Sequence, residues 1–161
     1  MRHREILTIE PDDVVTLIHE AVQARGEDWV YPDTSQCRYV YFREDYAPEG
    51  YDVTKDGQKM LEYFGDDDGQ PACLVGYVLN ALNPKFIDVI VNDGKNEDSV
   101  EGWMQESETP FSVQIGETEY VFPPAVTYLL QAAQSAQDSG QTWGSAETRV
   151  IQIIEAKRGE Y

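Results

Sequence analysis

The sequence predicts an α+β fold, mainly helical, built as a single domain over residues 1–161 with a central apolar helix and a small antiparallel β-hairpin. Three observations predict it. Pro71 to Leu82 is apolar on all sides, the pattern of a helix buried all round. Phe111–Ile115 and Thr118–Phe122 flank Gly116-Glu117, and a two-residue loop with Gly first is the signature of a type II′ hairpin. Beyond Pro123-Pro124 the chain keeps helical periodicity to Gly140, and does so again after Thr142. With 161 residues and 41% hydrophobic content, one core is expected, enclosing roughly 70% of the unfolded surface.

Taken in order, Ile6 to Gly26 reads as a short lead-in and a first helix. Pro11 suits the first helical position, Asp12 and Asp13 complement the positive end of the dipole, and Gly26 ends the helix. Val14, Leu17, Ile18, Ala21 and Val22 form its apolar stripe, with His19 beside it. A lone helical histidine without a partner at ligand spacing is read as structural. Cys37 to Arg43, rich in aromatic and β-branched residues, reads as a strand. Asp45 to Gly57 is loop-like, Met60 to Phe64 is a strand or a helical turn, and 65–69 is a turn. Gly76 inside the central helix costs about 1 kcal/mol relative to Ala, which a close crossing by another helix would explain. Asn83-Pro84 restarts a helix carrying Phe86, Ile87, Ile90 and Val91, with a strand as the competing reading because Val89 to Val91 is β-prone. A short helix is expected around Val100, Trp103 and Met104. After the hairpin, Pro123-Pro124 opens a long helix, and Thr142 caps a last one in which Trp143, Ala146, Val150, Ile153 and Ile154 share a face.

Charge is the chain's most individual property. Thirty acidic residues oppose twelve basic ones for a net charge of −18, and from Asn96 to Thr148 there is no Lys or Arg. Binding nucleic acid by phosphate neutralisation needs clustered cations, which are missing, and anionic membrane surfaces repel such a chain. Basic proteins and basic DNA-binding clefts are steered toward it. A charge of −18 exceeds the roughly 2–8 units that solubility asks of a small domain. No apolar run approaches the roughly 20 residues of a membrane span, and no long apolar segment follows the basic N-terminus, so a cytoplasmic location is expected. Cys37 and Cys73 are then expected as free, buried thiols. Their spacing, with only His3 and His19 besides, matches no zinc site; no metal and no cofactor are expected.

Three segments carry a resemblance: Cys37-Arg38-Tyr39, Pro71 to Leu79, and Gln137 to Ala146, which contains Gln-Asp-x-Gly-x-x-Trp-Gly. On these the chain resembles a group of small uncharacterised proteins of actinobacteria and their phages. The likeness covers about half the chain and implies a phage-related setting but no activity. Where relatives often carry His after the central glycine, this chain has Tyr77. The stretch 44–69 looks like an insertion, with nine acidic residues against Lys55 and Lys59.

Candidate sites follow from these features. An acidic partner-binding surface is expected from Asp52, Asp56, Asp66, Asp67 and Asp68 of the insertion, with Asp93, Glu97, Asp98 and Glu101 beyond the central helix. Asp66 to Asp68 do not fit a calcium-loop frame and suit instead the N-terminus of the central helix. Arg38 and Arg43 with Tyr39 and Tyr41 read first as a strand whose alternate faces are core and surface, with Arg balancing nearby acids; the alternative is a nucleotide-binding site, since guanidinium forks and aromatic faces pair phosphate and stack on a base. Gln131, Gln134, Gln137 and Gln141 are expected on the outer face of the long helix, read first as a solvated face and otherwise as a neutral surface for a partner. Catalytic residues are not expected: no nucleophile elbow, phosphate-binding glycine loop or Cys–His pair is present.

The function expected is therefore non-enzymatic: a small acidic protein that binds and inhibits a host macromolecule, in one version as a DNA mimic occupying the cleft of a basic DNA-binding protein. Duplex DNA presents one charge per about 1.7 Å, which the stretches 44–69 and 92–108 would imitate if folded onto one face. Two alternatives stand beside it, a nucleotide-binding module or sponge for a defence signal, and a minor structural or assembly component of a phage. Self-association as a homodimer is compatible with each.

Overall fold

The computed structural model describes residues 5–32, 38–46, 55–64, 68–105 and 110–158. The architecture is α+β and mainly helical, as expected. Its first element is one the sequence pattern does not announce. Strand β1 (Glu5–Thr8) is exposed along its whole length, so no alternation of apolar and polar residues marks it. Helix α1 (Pro11–Arg25) follows, with Pro11 in its first turn and the Asp13 carboxylate accepting from the Glu10 N–H at 2.9 Å. Val14, Ile18, Ala21 and Val22 bury its inner stripe.

The expected strand from Cys37 to Arg43 is shorter than its composition suggests. Only Val40–Tyr41 (β2) pairs, antiparallel, with Gln70–Pro71 (β3). Two side chains curtail it. Asn96 bonds both the N–H and the carbonyl of Val40, at 2.7 and 3.0 Å, in place of a neighbouring strand. Asp68 accepts the Arg43 N–H and opens a short helix, α2 (Arg43–Tyr46). Met60 to Phe64 belong to helix α3 (Lys55–Phe64), which resolves the strand-or-helix ambiguity.

The central helix α4 (Leu74–Leu82) starts three residues later than its apolar run, because Pro71 is committed to β3 and Cys73 takes the capping position. Cys73 is a buried free thiol whose sulfur accepts from the Gly76 N–H at 3.5 Å; Cys37 lies outside the described residues. Helix α5 (Phe86–Asn92), a π-helical turn (Glu101–Gln105), and the hairpin β4 (Phe111–Ile115) and β5 (Thr118–Phe122) come next. At the hairpin turn Gly116 has φ 61° while Glu117 has no positive φ, as a type II′ turn requires. Strand β1 adds to this hairpin in parallel, giving the order β1-β5-β4 with Leu7 opposite Tyr120. Helices α6 (Pro124–Asp138) and α7 (Trp143–Arg158) complete the chain, the Thr142 hydroxyl capping α7 through the Ser145 N–H at 3.1 Å.

Helix α4 packs against α1 and α6, and reaches α7 through Tyr77, whose ring meets Trp143 edge-on at 5.6 Å. Phe86 of α5 meets Tyr120 and Phe122, tying the three-stranded sheet to the helical core. The close approach at Gly76 is real, but its partner is not a helix. A Cβ there would overlap the backbone carbonyl of Tyr39, whose carbon would lie at 2.9 Å and Cα at 3.0 Å. In an unconstrained helix Gly→Ala stabilises by about 1 kcal/mol. At this position Gly76→Ala is expected to destabilise instead, by about 1–3 kcal/mol, because backbone yields less readily than a side chain. Urea unfolding decides the sign, and a gain in stability would show that the contact has room.

Candidate functional site

One short segment, Arg38 to Arg43, bonds to the 93–101 arm and to Asp68 and Gly69 at the end of the insertion. On one side it takes the 93–101 arm. The Tyr39 N–H donates to the Asn96 carbonyl at 3.3 Å, the Asn96 amide brackets Val40, and the Arg38 guanidinium pairs with Glu97 at 3.0 Å. On its other side it takes the end of the insertion. The Gly69 N–H donates to the Tyr41 carbonyl at 2.8 Å, and Asp68 caps the Arg43 N–H. Asp68 therefore stabilises the start of α2 and not, as the sequence suggested, that of α4.

Of the expected acidic surface, Asp68, Asp93, Glu97 and Glu101 are exposed and Asp98 is half-buried. Two of these are partly neutralised locally, Glu97 by Arg38 and Asp98 by Lys95 at 3.5 Å. Asp93 and Glu101 stand exposed without an ion pair to a described residue. Asp56 is on α3, and Asp52, Asp66 and Asp67 lie outside the described residues.

The anchor for the second arm comes from α6, and it corrects the reading of that helix's glutamines. Gln134 and Gln137 do not face solvent; both are fully enclosed. The Gln137 side-chain oxygen accepts the Leu74 N–H at 2.8 Å and the Trp143 indole N–H at 3.0 Å. Gln134 accepts the Val100 N–H at 2.8 Å, and Gln131 the Glu101 N–H at 2.7 Å. These are the orphan amides of a helix start and of a π-helical turn, which must find acceptors when buried. Gln141 alone of the four is fully exposed. Spacing of three and four residues was legible; which way the face pointed was not, because Gln on a helix is ordinarily a surface residue.

The alternative nucleotide site is not assembled. Tyr39 and Tyr41 are core residues whose rings are covered, Tyr39 by Trp103 at 5.5 Å and Tyr41 by stacking on Phe64 at 4.5 Å. Neither tyrosine has a ring face open to a base, and the Arg38 fork is engaged with Glu97. Only Arg43 is exposed.

A second cluster was missed altogether. Arg25, at the end of α1, carries its guanidinium among five aromatic rings, closest over Tyr63 at 4.0 Å and Tyr77 at 4.6 Å. Its Nη2 donates to the Pro71 carbonyl at 3.4 Å, while Nε and Nη1 are buried without an acceptor. Burial draws its pKa below the ordinary value, against the opposing influence of the Tyr77 and Tyr63 phenols. Burial likewise raises the Tyr63 pKa, with the Arg25 charge acting against it. The cluster joins α3 of the insertion to α1, α4 and α7, with Trp29 against Tyr63 at 4.4 Å. The residues come from four distant stretches, so no local pattern reveals them. His19, read as unpartnered, meets Glu147 of α7 at 2.7 Å. Among the described residues no cluster of three His, Cys, Asp or Glu side chains is placed to hold a metal ion.

Gln137→Leu is expected to strand two buried donors, at about 1–3 kcal/mol for each, and a urea midpoint close to wild type would mean that other acceptors replace it. Arg25→Ala is expected to speed amide hydrogen exchange across Lys55–Phe64 while leaving α6 protected, since α3 loses its clasp to the core. Unchanged exchange in α3 would show that its own packing holds it.

No protein family, curated protein or solved structure matches the chain, so its function is argued from its own residues.

Proposed function

We propose that this is a non-enzymatic acidic binding protein that engages a basic host macromolecule through the surface built on the Arg38–Arg43 anchor. It would act in the cytoplasm of an actinobacterial host, in keeping with the phage-related resemblance. The observation that carries the reading is the tethering of two acidic stretches, distant in sequence, to opposite sides of one buried segment. Residues 68 and 93–101 are thereby pre-organised, and fixed charges lose less entropy on binding than charges on a free loop. The net charge of −18 adds long-range attraction for basic partners.

In its most specific form the partner is a DNA-binding protein whose cleft accepts these carboxylates in place of phosphates. Spaced side chains on short, capped elements suit such a cleft better than a flexible acidic tail, because phosphate contacts are read geometrically. The burial of Tyr39 and Tyr41 removes the support for a nucleotide sponge. No helix of the described residues is long and apolar enough to cross a membrane.

Immobilised protein exposed to actinobacterial lysate at low salt is expected to retain basic DNA-binding proteins that duplex DNA then elutes. For a partner so obtained, Asp93→Asn with Glu101→Gln is expected to slow association severalfold and flatten its salt dependence, leaving dissociation nearly unchanged. Neither residue makes an ion pair with a described residue, so the fold loses little. Retained proteins that resist both duplex DNA and salt would sink the mimic, and equal association rates would remove these two carboxylates from the interface.

A further inference from the structure

The three-stranded sheet ends in two edges, β1 and β4, and they differ in kind. On β4 the side chains of Phe111, Val113 and Ile115 are buried, leaving only Ser112 and Gln114 exposed. Gln114 turns its amide back to the Gly116 carbonyl at 2.9 Å, and Pro110 precedes the strand, where it can donate nothing. A proline and a lack of exposed apolar side chains blunt an edge against pairing with another chain. Strand β1 has neither protection. Ile6 is 62% exposed and Leu7 41%, on opposite faces of the strand. Leu7 shares the face of its buried cross-strand partner Tyr120, yet lies uncovered where the sheet stops.

The main chain of β1 is equally open. The Glu5 N–H donates to the Glu117 carbonyl and the Ile9 N–H to the Val121 carbonyl, so the odd-numbered residues face β5. In a parallel ladder the residues between them point their N–H and C=O groups the other way. Ile6 and Thr8 therefore present two donors and two acceptors outward, and no described residue bonds them. Only another extended chain matches such a row. An antiparallel copy of β1, related by a two-fold axis, matches it completely. With Ile6 opposite Thr8 of the second copy, and Thr8 opposite Ile6 of the second copy, all four groups of each strand are used. In that register the two Leu7 side chains meet at the axis, in the closer, non-hydrogen-bonded position on the core face.

Charge selects a copy of this chain over an arbitrary strand. The sequence carries Arg2 and Arg4 just before β1, and Glu10, Asp12 and Asp13 just after it. Glu5, at the boundary, takes a hydrogen bond from the Thr118 hydroxyl of β5 at 3.5 Å. Lys157 lines a groove with Glu10 and Asp12, and three acids against one cation leave that end acidic. Antiparallel pairing lays the start of each strand beside the end of the other, so a basic flank meets an acidic one at both ends. A uniformly basic strand would be repelled at one end, and a uniformly acidic strand at the other. We propose that β1 is a self-association edge, which pairs antiparallel with β1 of a second copy to make one sheet in the order β4-β5-β1-β1-β5-β4. With four residues from each copy the contact is small, so the dimer is reversible and concentration-dependent.

Sedimentation velocity and amide hydrogen exchange by NMR on the full chain test it, over about 10–500 µM protein. The dimer fraction is expected to rise with concentration. The Ile6 and Thr8 amides are expected to exchange severalfold more slowly as it does, while those of Ser112 and Gln114 on the other edge keep their rates. Ile6→Pro removes an outward donor and no bond to β5, so it is expected to leave monomer with an unchanged circular dichroism spectrum. Arg2→Glu with Arg4→Glu is expected to weaken the dimer severalfold. Should Ile6→Pro misfold, exchange in the unaltered chain still decides. A wild type that stays monomeric at every concentration overturns the proposal. So does a dimer in which Ile6 and Thr8 exchange as fast as in the monomer, which would place the contact elsewhere. A dimer that the charge reversal leaves as tight as wild type overturns it too, because the complementarity that selects a second copy would be gone.

Discussion

The hydrogen bonds that the amides of Leu74, Val100 and Glu101 donate to the glutamine side chains of α6 hold the molecule's separate parts in one frame. Each satisfies a main-chain donor at the beginning of a turn, where no internal partner exists. A carboxylate is the usual acceptor at such a position and gains from the helix dipole. In the interior of a chain already at −18, however, a buried carboxylate would add desolvation cost and repulsion together. Glutamine supplies the same carbonyl geometry without the charge, and its amide remains available to donate. Gln134 uses that amide toward the Tyr39 hydroxyl at 3.4 Å, and Gln137 toward Asp138 at 3.1 Å. One helix thereby fixes the central helix, the second acidic arm and the segment that carries the first.

The same economy of charge governs the few cations inside. Arg25 is enclosed by aromatic rings and no described carboxylate pairs with it, although thirty acidic residues are available in the chain. The ring faces offer electrostatic attraction without a counter-ion that would itself need solvation. Their position matters as much as their chemistry. Tyr63 and Phe64 end the helix of the acidic insertion, so the clasp joins that helix to the core through apolar and cation–π contacts that salt screens weakly. Repulsion among the surface acids is then opposed by a fastening that depends only weakly on ionic strength.

Much of this fold could be read from local pattern. The hairpin, the first helix, the capped last helix and the buried thiol of Cys73 follow from periodicity and turn chemistry, which act within a few residues. The resemblance segments prove to be a packing junction: Tyr39 receives Gly76, and Gln137 bridges Leu74 and Trp143. Gly144 also lies close to the chain that follows α1, its N–H donating to the Glu27 carbonyl at 2.9 Å. Their residue types thus answer to backbone contacts and buried donors, which is why they suggested kinship and no chemistry. What escaped the sequence is long-range by nature. Strand β1 is defined only by its parallel partner, the Arg25 cluster draws on four stretches, and the inward glutamines are fixed by donors thirty to sixty residues away.

Helix α6 therefore separates two kinds of surface as well as joining the interior. Its inward amides hold the arm bearing Asp93 and Glu101, where fixed carboxylates and the net charge act in the same direction. Its outward residues Ala125, Tyr128, Ala132 and Ser135 carry no charge. Substituting a carboxylate on either side has different physical consequences. Inside, it would add a desolvated charge beside buried amides; outside, it would only add to the acid the surface already carries. The uncharged run from Pro124 to Gln137, which looks merely bland in sequence, is what lets so acidic a chain satisfy buried main-chain donors without placing charge in its interior.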